Sequence, residues 1–222
     1  MIDGDALIIP QQRLVRMLTK IGEKMPWIQR VGIYANAKGI LRKTEEELAR
    51  LRDLGLKIVY FGLESGDAQV LQDMRKGHTP ERMIEAGRKI REAGMKLSVM
   101  VILGLAGRGR SIEHARATGA ALSAIDPNYV GVLTLMIYPG TPLSEEVQNG
   151  RFDLLTPHEM LRELREMLFC TEMTRGLFFA NHASNYLPLR VKMPADKRRT
   201  LELLDSALSG QTALKPEWMR GF

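Results

Sequence analysis

The chain contains 222 residues, of which 45% are hydrophobic and 26% are charged, enough for one large domain with a sizeable core. The net charge is +6, but no arginine-rich arm is present, and the nearest approach to one is Lys197–Arg199, so nucleic-acid binding is unsupported. The single cysteine, Cys170, excludes an internal disulfide framework and any metal site built from several thiolates of this chain. No apolar run has the roughly 20 residues of a membrane span and no signal-peptide pattern is present, so we expect no membrane contact and a cytoplasmic protein.

Short apolar segments alternate with amphipathic helical segments in the first part of the chain. The pattern predicts five strands: Ala6–Ile9, Val31–Tyr34, Lys57–Phe61, Leu97–Leu103 and Tyr129–Tyr138. Helices are predicted between them, one with a capping box at Thr44 and Glu47 and one with Ser111 as its N-cap. Strands that begin roughly 25 to 40 residues apart are typical of strand–helix–strand units, which build parallel sheets. Because no glycine-rich dinucleotide fingerprint follows the first strand, the sequence favours a TIM-barrel-like (β/α) barrel over a dinucleotide-binding fold.

The pattern changes after Pro142. A helix is predicted from Thr156 to about Met173, and a second from Ala195 to Ser209. Between them, Asn181–Pro188 is polar and aromatic and has neither helical nor strand periodicity. We therefore divide the chain into a barrel domain, residues 1–143, and a C-terminal helical extension, residues 144–222, that packs on it.

Polar residues accompany the predicted strands at their ends. Glu64 and Ser65 follow a buried strand, Asn36 follows the strand before it, and Asp3 and Asp5 lie beside the first strand. Ligands of parallel α/β proteins lie at the carboxyl ends of the strands, so these positions are candidate binding residues. The alternative is structural, because a serine after a strand is also a common N-cap and an acid there is often only a solvated charge.

Two further groups of polar residues fit either a functional or a structural role. Arg108 and Arg110 lie on a glycine-rich loop after the fourth predicted strand, where an arginine can bind a carboxylate or simply face solvent. His182 lies in the polar segment near the C-terminus, where it fits either acid–base chemistry or turn hydrogen bonds.

Four motifs resemble one family, the radical S-adenosylmethionine (radical SAM) enzymes. They are Asp3–Ala6, Gly62–Gly66 together with Lys76–Gly77, Val101–Leu105, and Ile137–Leu143. The resemblance extends from Ile2 to about Leu143 and corresponds to strands two to six of a six-stranded partial barrel. Within the family, the chain is similar to a bacterial iron–sulfur oxidoreductase subgroup that is loosely akin to oxygen-independent coproporphyrinogen III oxidase.

The resemblance implies S-adenosylmethionine as the cofactor and one edge of the sheet as its site. The implied cofactor-binding residues are Asp3, Gly4, Asp5, Asn36, Glu64, Ser65, Gly104, Arg108, Met136, Tyr138 and Pro139. In particular, it implies that Glu64 and Ser65 face a groove floored by Leu103, Met136 and Tyr138. The implied reaction is reductive cleavage of S-adenosylmethionine to a 5′-deoxyadenosyl radical, which abstracts hydrogen from an unknown substrate.

One family feature is absent from this sequence. The family binds a [4Fe-4S] cluster through Cys-x3-Cys-x2-Cys after its first strand, whereas this chain has one cysteine. Thiolates hold such clusters, so we expect the cluster in a full-length protein only and the chain as given to be inactive. The explanation we favour is a truncated chain that lacks its first strand–helix unit. Ala6–Ile9 would then be an exposed edge strand and a possible dimer contact.

Other readings stay open. One is a clusterless half-barrel that binds a nucleoside-type ligand or serves as a scaffold for a protein partner. Another is an ordinary α/β hydrolase or transferase, although the sequence contains no Gly-x-Ser-x-Gly nucleophile elbow and no phosphate-binding loop.

Overall fold

The computed structural model describes residues 4–221. Its helices are α1 Gln11–Lys24, α2 Ala37–Leu41, α3 Glu45–Asp53, α4 Ala68–Asp73, α5 Pro80–Glu92, α6 Ser111–Ile125, α7 Pro142–Gln148, α8 Pro157–Cys170 and α9 Lys197–Leu208. Its strands are β1 Val31–Ala35, β2 Leu56–Glu64, β3 Lys96–Leu103, β4 Tyr129–Thr134, β5 Gly176–Phe179 and β6 Arg190–Met193. Short 3₁₀ helices cover Ala6–Ile8, Arg108–Arg110 and Glu217–Met219.

The described strands form one sheet in the order of the sequence, β1 to β6. Each neighbouring pair from β1 to β5 is parallel, and β6 runs antiparallel to β5. The mostly parallel sheet, the helices between its strands and the helices of the C-terminal region confirm the predicted α/β partial-barrel class with a helical extension.

The two faces of the sheet differ in burial. Along β3, the alternate residues Leu97, Val99, Val101 and Leu103 are buried, whereas the residues between them are half-buried. Since side chains alternate between faces, helices cover one face of the sheet and the other face is less covered. The same alternation recurs along β4.

The first predicted strand is wrong. Residues Ala6–Ile8 form a 3₁₀ helix, in which Ala6 and Leu7 are each 1% exposed. The run is too short to specify a strand by alternation, and Pro10 follows it at once. Among the described strands, β1 therefore ends the sheet. A dimer contact through an Ala6–Ile9 strand loses its basis, and dimerisation itself stays a prediction.

The C-terminal region also differs from the prediction, since it contains β5 and β6, which the sequence did not reveal. Strands of four residues carry too little alternation to stand out. The last predicted strand is shorter than expected, because β4 ends at Thr134 rather than Tyr138. Residues beyond 143 thus extend the same sheet, and a domain boundary at 143 stays a prediction.

Helix starts were predicted more accurately. Thr44 and Glu47 form the expected capping box at the start of α3. Thr156 and Glu159 form another at the start of α8. Ser111 is an exception, because the side chain of this first residue of α6 makes no capping bond. Its hydroxyl bonds to α8 instead, as described below.

Candidate functional site

The carboxyl ends of β1 to β4 lie along one edge of the sheet, because these strands are adjacent and parallel. Asn36 follows β1, Glu64 ends β2, Gly104 follows β3, and Met136 lies two residues beyond the end of β4. Four of the sequence-predicted residues are therefore brought to the same edge.

Asp5 joins this edge through a contact with Asn36. The backbone N–H of Asn36 donates to Asp5 Oδ1 at 3.2 Å. The side-chain oxygen of Asn36 accepts from the N–H of Gly39 at 3.0 Å and caps α2. The exposed Gly4 precedes Asp5, and Asp3 lies outside the described residues. The structure thus places Asp5 against Asn36 but uses the Asn36 amide oxygen as a helix cap.

Glu64 has the most constrained backbone at this edge. Its φ of 60° lies in the left-handed region, which is uncommon for a residue other than glycine, and such strain clusters at functional sites. The pairing of β2 with β3 shifts by one residue between Gly62 and Glu64. The Glu64 carboxylate lies over Gly62, where a Cβ atom would be 2.2 Å from Oε1, and it accepts from Lys76 Nζ at 3.0 Å. A partly exposed carboxylate is thereby fixed at the end of β2.

Ser65 points away from Glu64, into the protein. It is fully buried, and its hydroxyl lies 2.9 Å from His114 Nδ1 and accepts from the N–H of Asp67 at 2.9 Å. Its predicted contact with a cofactor stays a prediction, and it would require the hydroxyl to leave these partners.

A buried acid, Glu163 of α8, lies beneath the end of β3. Its Oε1 accepts from the N–H of Gly104 at 2.7 Å, and its Oε2 accepts from the hydroxyl of Ser111 at 2.5 Å. Burial raises the pKa of Glu163 to about 7, although both hydrogen bonds oppose that change. The sequence analysis missed this residue, whose only signal was an acid within the apolar stripe of α8.

His114 connects the two strand ends inside the protein. Its Nε2 lies 3.1 Å from the carbonyl oxygen of Ile102 and 3.5 Å from Glu163 Oε1. Burial lowers its pKa to about 4, so the imidazole is neutral near pH 7 and its contact with Glu163 is not a salt bridge there. Ser65, His114 and Glu163 are connected like a nucleophilic triad, but each is 0% exposed. No substrate reaches them, and their role is structural.

The loop after β3 is held against residues 153–159. Gly104 has a φ of +82°, a conformation that favours glycine, and a Cβ atom there would also press on the flexible end of the Met160 side chain. Arg108 contacts Glu159 at 3.0 Å and donates to the carbonyl oxygen of Leu154 at 3.2 Å. Its predicted contact with a cofactor carboxylate stays a prediction, since the guanidinium is already occupied.

Arg110 is also paired within the chain. Its Nη2 lies 2.6 Å from Asp67 Oδ2. Burial favours the neutral form of Asp67, but the Arg110 guanidinium and two backbone N–H groups outweigh it, and the pKa of Asp67 is lowered. This arginine therefore stabilises the turn after β2.

A groove lies at the end of β4. It has a volume of about 410 Å³, and its lining includes Met136 and Tyr138 together with Leu155, Tyr186 and Arg220. The Arg220 guanidinium lies 4.2 Å from the centre of the Tyr186 ring, and the Tyr186 hydroxyl donates to Glu217 at 2.6 Å. An apolar wall with a few polar groups suits a nucleoside-sized ligand. Leu103 is buried and is not among the lining residues.

The polar segment Asn181–Pro188 forms hydrogen bonds with the last residues of β4. Ser184 accepts from the N–H of Thr134 at 3.0 Å, and Asn185 contacts the Thr134 hydroxyl at 2.7 Å and the carbonyl oxygen of Val132 at 2.7 Å. His182 Nδ1 lies 2.9 Å from the Ser184 hydroxyl. These bonds satisfy backbone groups at the end of a strand, and this explains the absence of periodicity.

The residues from 4 to 221 do not contain a group of three or more His, Cys, Asp or Glu side chains placed to hold a metal ion. Cys170, the last residue of α8, is half-buried, and burial raises the pKa of its thiol. Across the same range, no helix has both the length and the apolar composition needed to cross a bilayer.

Comparisons with known proteins identify the family and support the fold. The family model of the radical SAM superfamily matches residues 1–118. The chain therefore belongs to the radical SAM superfamily, and the resemblance noted in the sequence is confirmed.

Individual relatives are more distant. The heme chaperone HemW of Bacillus subtilis is 22% identical over 168 residues, which are 75% of this chain and 42% of HemW. Biotin synthase of Salinispora tropica is 30% identical over 162 residues, which are 69% of this chain and 47% of the synthase. The chain thus spans less than half the length of these curated relatives.

Solved structures agree on the fold. Elp3 of Methanocaldococcus infernus matches 96% of this chain with 54% of its own, at a TM-score of 0.61 and 16% identity. Coproporphyrinogen III oxidase (HemN) of Escherichia coli, a radical SAM enzyme, matches 75% of this chain with 38% of its own, at a TM-score of 0.58 and 16% identity. At this identity, the similarity establishes the fold alone.

Proposed function

We propose that the chain is the C-terminal part of a radical SAM catalytic domain and that its sheet edge binds S-adenosylmethionine. The main support is the position of Glu64, a partly exposed carboxylate fixed in a left-handed conformation at the end of β2. The match of residues 1–118 to the superfamily supplies the ligand class. A carboxylate there can accept hydrogen bonds from the ribose hydroxyls or the amino group of the cofactor.

In this proposal, the other candidate residues bind different parts of the ligand. Asp5 and Asn36 lie next to each other beyond β1, where they would bind the polar aminoacyl end. The groove of Met136 and Tyr138 would hold the adenine ring, and Pro139, which follows Tyr138 in the sequence, is assigned to the same site by the resemblance alone. When bound in complete members of the family, S-adenosylmethionine supplies the 5′-deoxyadenosyl group that abstracts hydrogen from a substrate. The protein's own work is binding, orientation and shielding.

The residues present do not fit an iron–sulfur cluster. Such a cluster needs several thiolate ligands, and the chain has only Cys170, whose thiol pKa is raised rather than lowered. We therefore propose that this chain alone is inactive and that its share of the reaction is limited to cofactor binding. Because the family uses the cluster to hold the amino and carboxylate groups of S-adenosylmethionine, the affinity of this chain should be low.

Ligand-observed NMR tests this proposal, because saturation transfer detects weak binding. With millimolar S-adenosylmethionine, transfer from the protein to the adenine and ribose protons is the expected result. Glu64→Ala should weaken binding by about 1–3 kcal/mol, the scale for losing one hydrogen bond to a charged group.

Glu85→Ala is the matched control. It removes a glutamate that is also ion-paired at 3.0 Å, with Arg82, but lies on α5 rather than at the sheet edge. Its affinity should equal that of the wild type. Absence of saturation transfer from the wild-type protein to the ligand would reject the proposal, and equal losses of affinity in both variants would remove Glu64 from the site.

A further inference from the structure

The positive charge of the protein is concentrated in one segment. Residues 11–43 contain eight basic residues and one acidic residue, a net charge of +7, whereas the remaining residues together carry −1. The segment covers α1, the loop after it, β1 and α2. The overall charge of +6 is thus a property of one part of the structure, and such asymmetry favours an anionic partner.

Four of these basic residues form a line on α1. Arg13, Arg16, Lys20 and Lys24, here called the α1 basic stripe, are all exposed. At 3.6 residues per turn, their spacing places them within about 80° of arc, and they extend over about 16 Å. The stripe therefore presents a row of cations along one side of the helix.

Among the described residues, the stripe has no ion pairs, in contrast to several other basic residues of the chain. The salt bridges of the described residues include none of its members. In the Lys197–Arg199 run, by comparison, Lys197 contacts Glu172 at 2.6 Å and Arg198 contacts Glu202 at 3.6 Å. Four unpaired cations in a row are available to an external partner.

An exposed tryptophan lies at the end of the stripe. Every residue from Gly22 to Arg30 is exposed, and the side chain of Trp27 is 73% exposed. Met25 and Ile28 beside it are 44% and 40% exposed. A large ring in this position offers a face on which a planar group can stack.

We propose that the α1 basic stripe and Trp27 bind single-stranded nucleic acid. The phosphates would lie along the stripe, which is long enough for roughly five of them at about 3.4 Å per stacked nucleotide. A base at one end would stack on Trp27. The Trp27 end of this surface is separate from the proposed cofactor site, because Trp27 precedes β1 and the candidate site lies beyond the carboxyl ends of the strands.

A membrane fits these observations less well. A helix that lies in a bilayer surface inserts its apolar face, but Leu14 and Leu18 of α1 are 1% and 2% exposed and pack in the core. Only the loop around Trp27 would remain to insert. An acidic protein could match the charge but gives no reason for the aromatic ring at the end of a regular row of cations.

Fluorescence anisotropy tests this inference with labelled oligouridylate and oligothymidylate at several salt concentrations. Binding of either probe is expected, and the tighter one identifies RNA or DNA as the source. Because each phosphate contact contributes about 0.7 to the salt slope of a single strand, Arg16→Gln combined with Lys20→Gln should reduce that slope by about 1.4. Trp27→Ala should weaken binding about 5- to 100-fold without changing the slope.

Arg162→Gln combined with Arg199→Gln is the matched control. It removes two exposed arginines of α8 and α9 that have no salt bridge among the described residues, and it should leave slope and affinity unchanged. Circular dichroism should show all variants folded, since every changed residue is exposed. The inference is overturned if neither probe binds at low salt. It is also overturned if the control double variant loses as much affinity and salt slope as the double variant in the stripe. Equal affinity for polyglutamate, or binding only to anionic vesicles, would also overturn it.

Discussion

Glu64 and Glu163 lie at the ends of neighbouring strands, but they differ in exposure and in the partners that they bind. Glu64 is partly exposed on the less covered face, and its nearest partner is the flexible cation of Lys76. Glu163 is fully buried, and its partners are the backbone of Gly104 and the hydroxyl of Ser111. The contrast separates two tasks at one sheet edge, because an accessible carboxylate can meet a ligand and an inaccessible one can only hold the loop in place.

The largest expected effect is on folding, from removal of the buried acid. Glu163→Ala leaves the N–H of Gly104 and the hydroxyl of Ser111 without an acceptor and opens a cavity. The free energy of unfolding should fall by about 3–5 kcal/mol, measured by urea denaturation near pH 6. Glu163→Gln keeps the volume and one acceptor, so its loss should be much smaller. Equal losses in the two variants would show that the fold requires the carboxyl group itself, because glutamine keeps the volume and one acceptor of glutamate.

The second effect is a pH dependence that belongs to Glu163. Burial raises its pKa from 4.5 to about 7, so the folded chain holds this proton more tightly than the unfolded chain. The stability that results is fully present below about pH 4.5 and is lost as the pH rises through about 7. Relative to Glu163→Gln, the wild type should lose on the order of 3 kcal/mol of unfolding free energy between about pH 4.5 and 8.

Urea denaturation of both proteins across this range measures the difference. His114, with its pKa lowered to about 4, titrates in both proteins and cancels when they are subtracted. A difference that stays constant with pH would mean that folding does not raise the pKa of Glu163.

The smallest effect is expected at the exposed pair. Lys76→Met removes the 3.0 Å contact with Glu64, in which the two side chains are 33% and 21% exposed. Such a pair contributes about 0–1 kcal/mol in water, so the free energy of unfolding should change by less than about 1 kcal/mol. A loss above about 2 kcal/mol would show that Glu64 holds the fold as Glu163 does, and the contrast between them would fail.

The sequence predicted the open part of this edge better than the buried part. Strand ends and helix caps are local signals, so the positions of Glu64 and Asn36 and the Thr44 capping box could be read from spacing alone. The network around Glu163 joins residues 52 and 59 positions apart, and no local pattern reports such contacts. Ser111 illustrates this limit of local patterns. Its position at the start of a helix predicted an N-cap, but its hydroxyl donates to Glu163 of another helix.

The fold was predictable where segments were long enough to carry a period. The run that became β3 is apolar over most of its eight residues and so predicted a buried strand, whereas β5 and β6 have four residues each and escaped notice. Residues Ala6–Ile9 are apolar because two of them fill the core, not because they form a strand. The basic stripe was missed for a related reason, since its members are three or four residues apart and never form a run.

The position of Arg220 affects how the protein should be produced. Its side chain is only 5% exposed, contacts Tyr186 and Glu217, and reaches the carbonyl oxygen of Leu135 at 3.4 Å. An affinity tag fused directly behind it would therefore emerge beside the groove at the end of β4. A removable tag at the other terminus, or a glycine–serine spacer of about ten residues, which spans roughly 16–19 Å, would keep that groove clear for ligand screening.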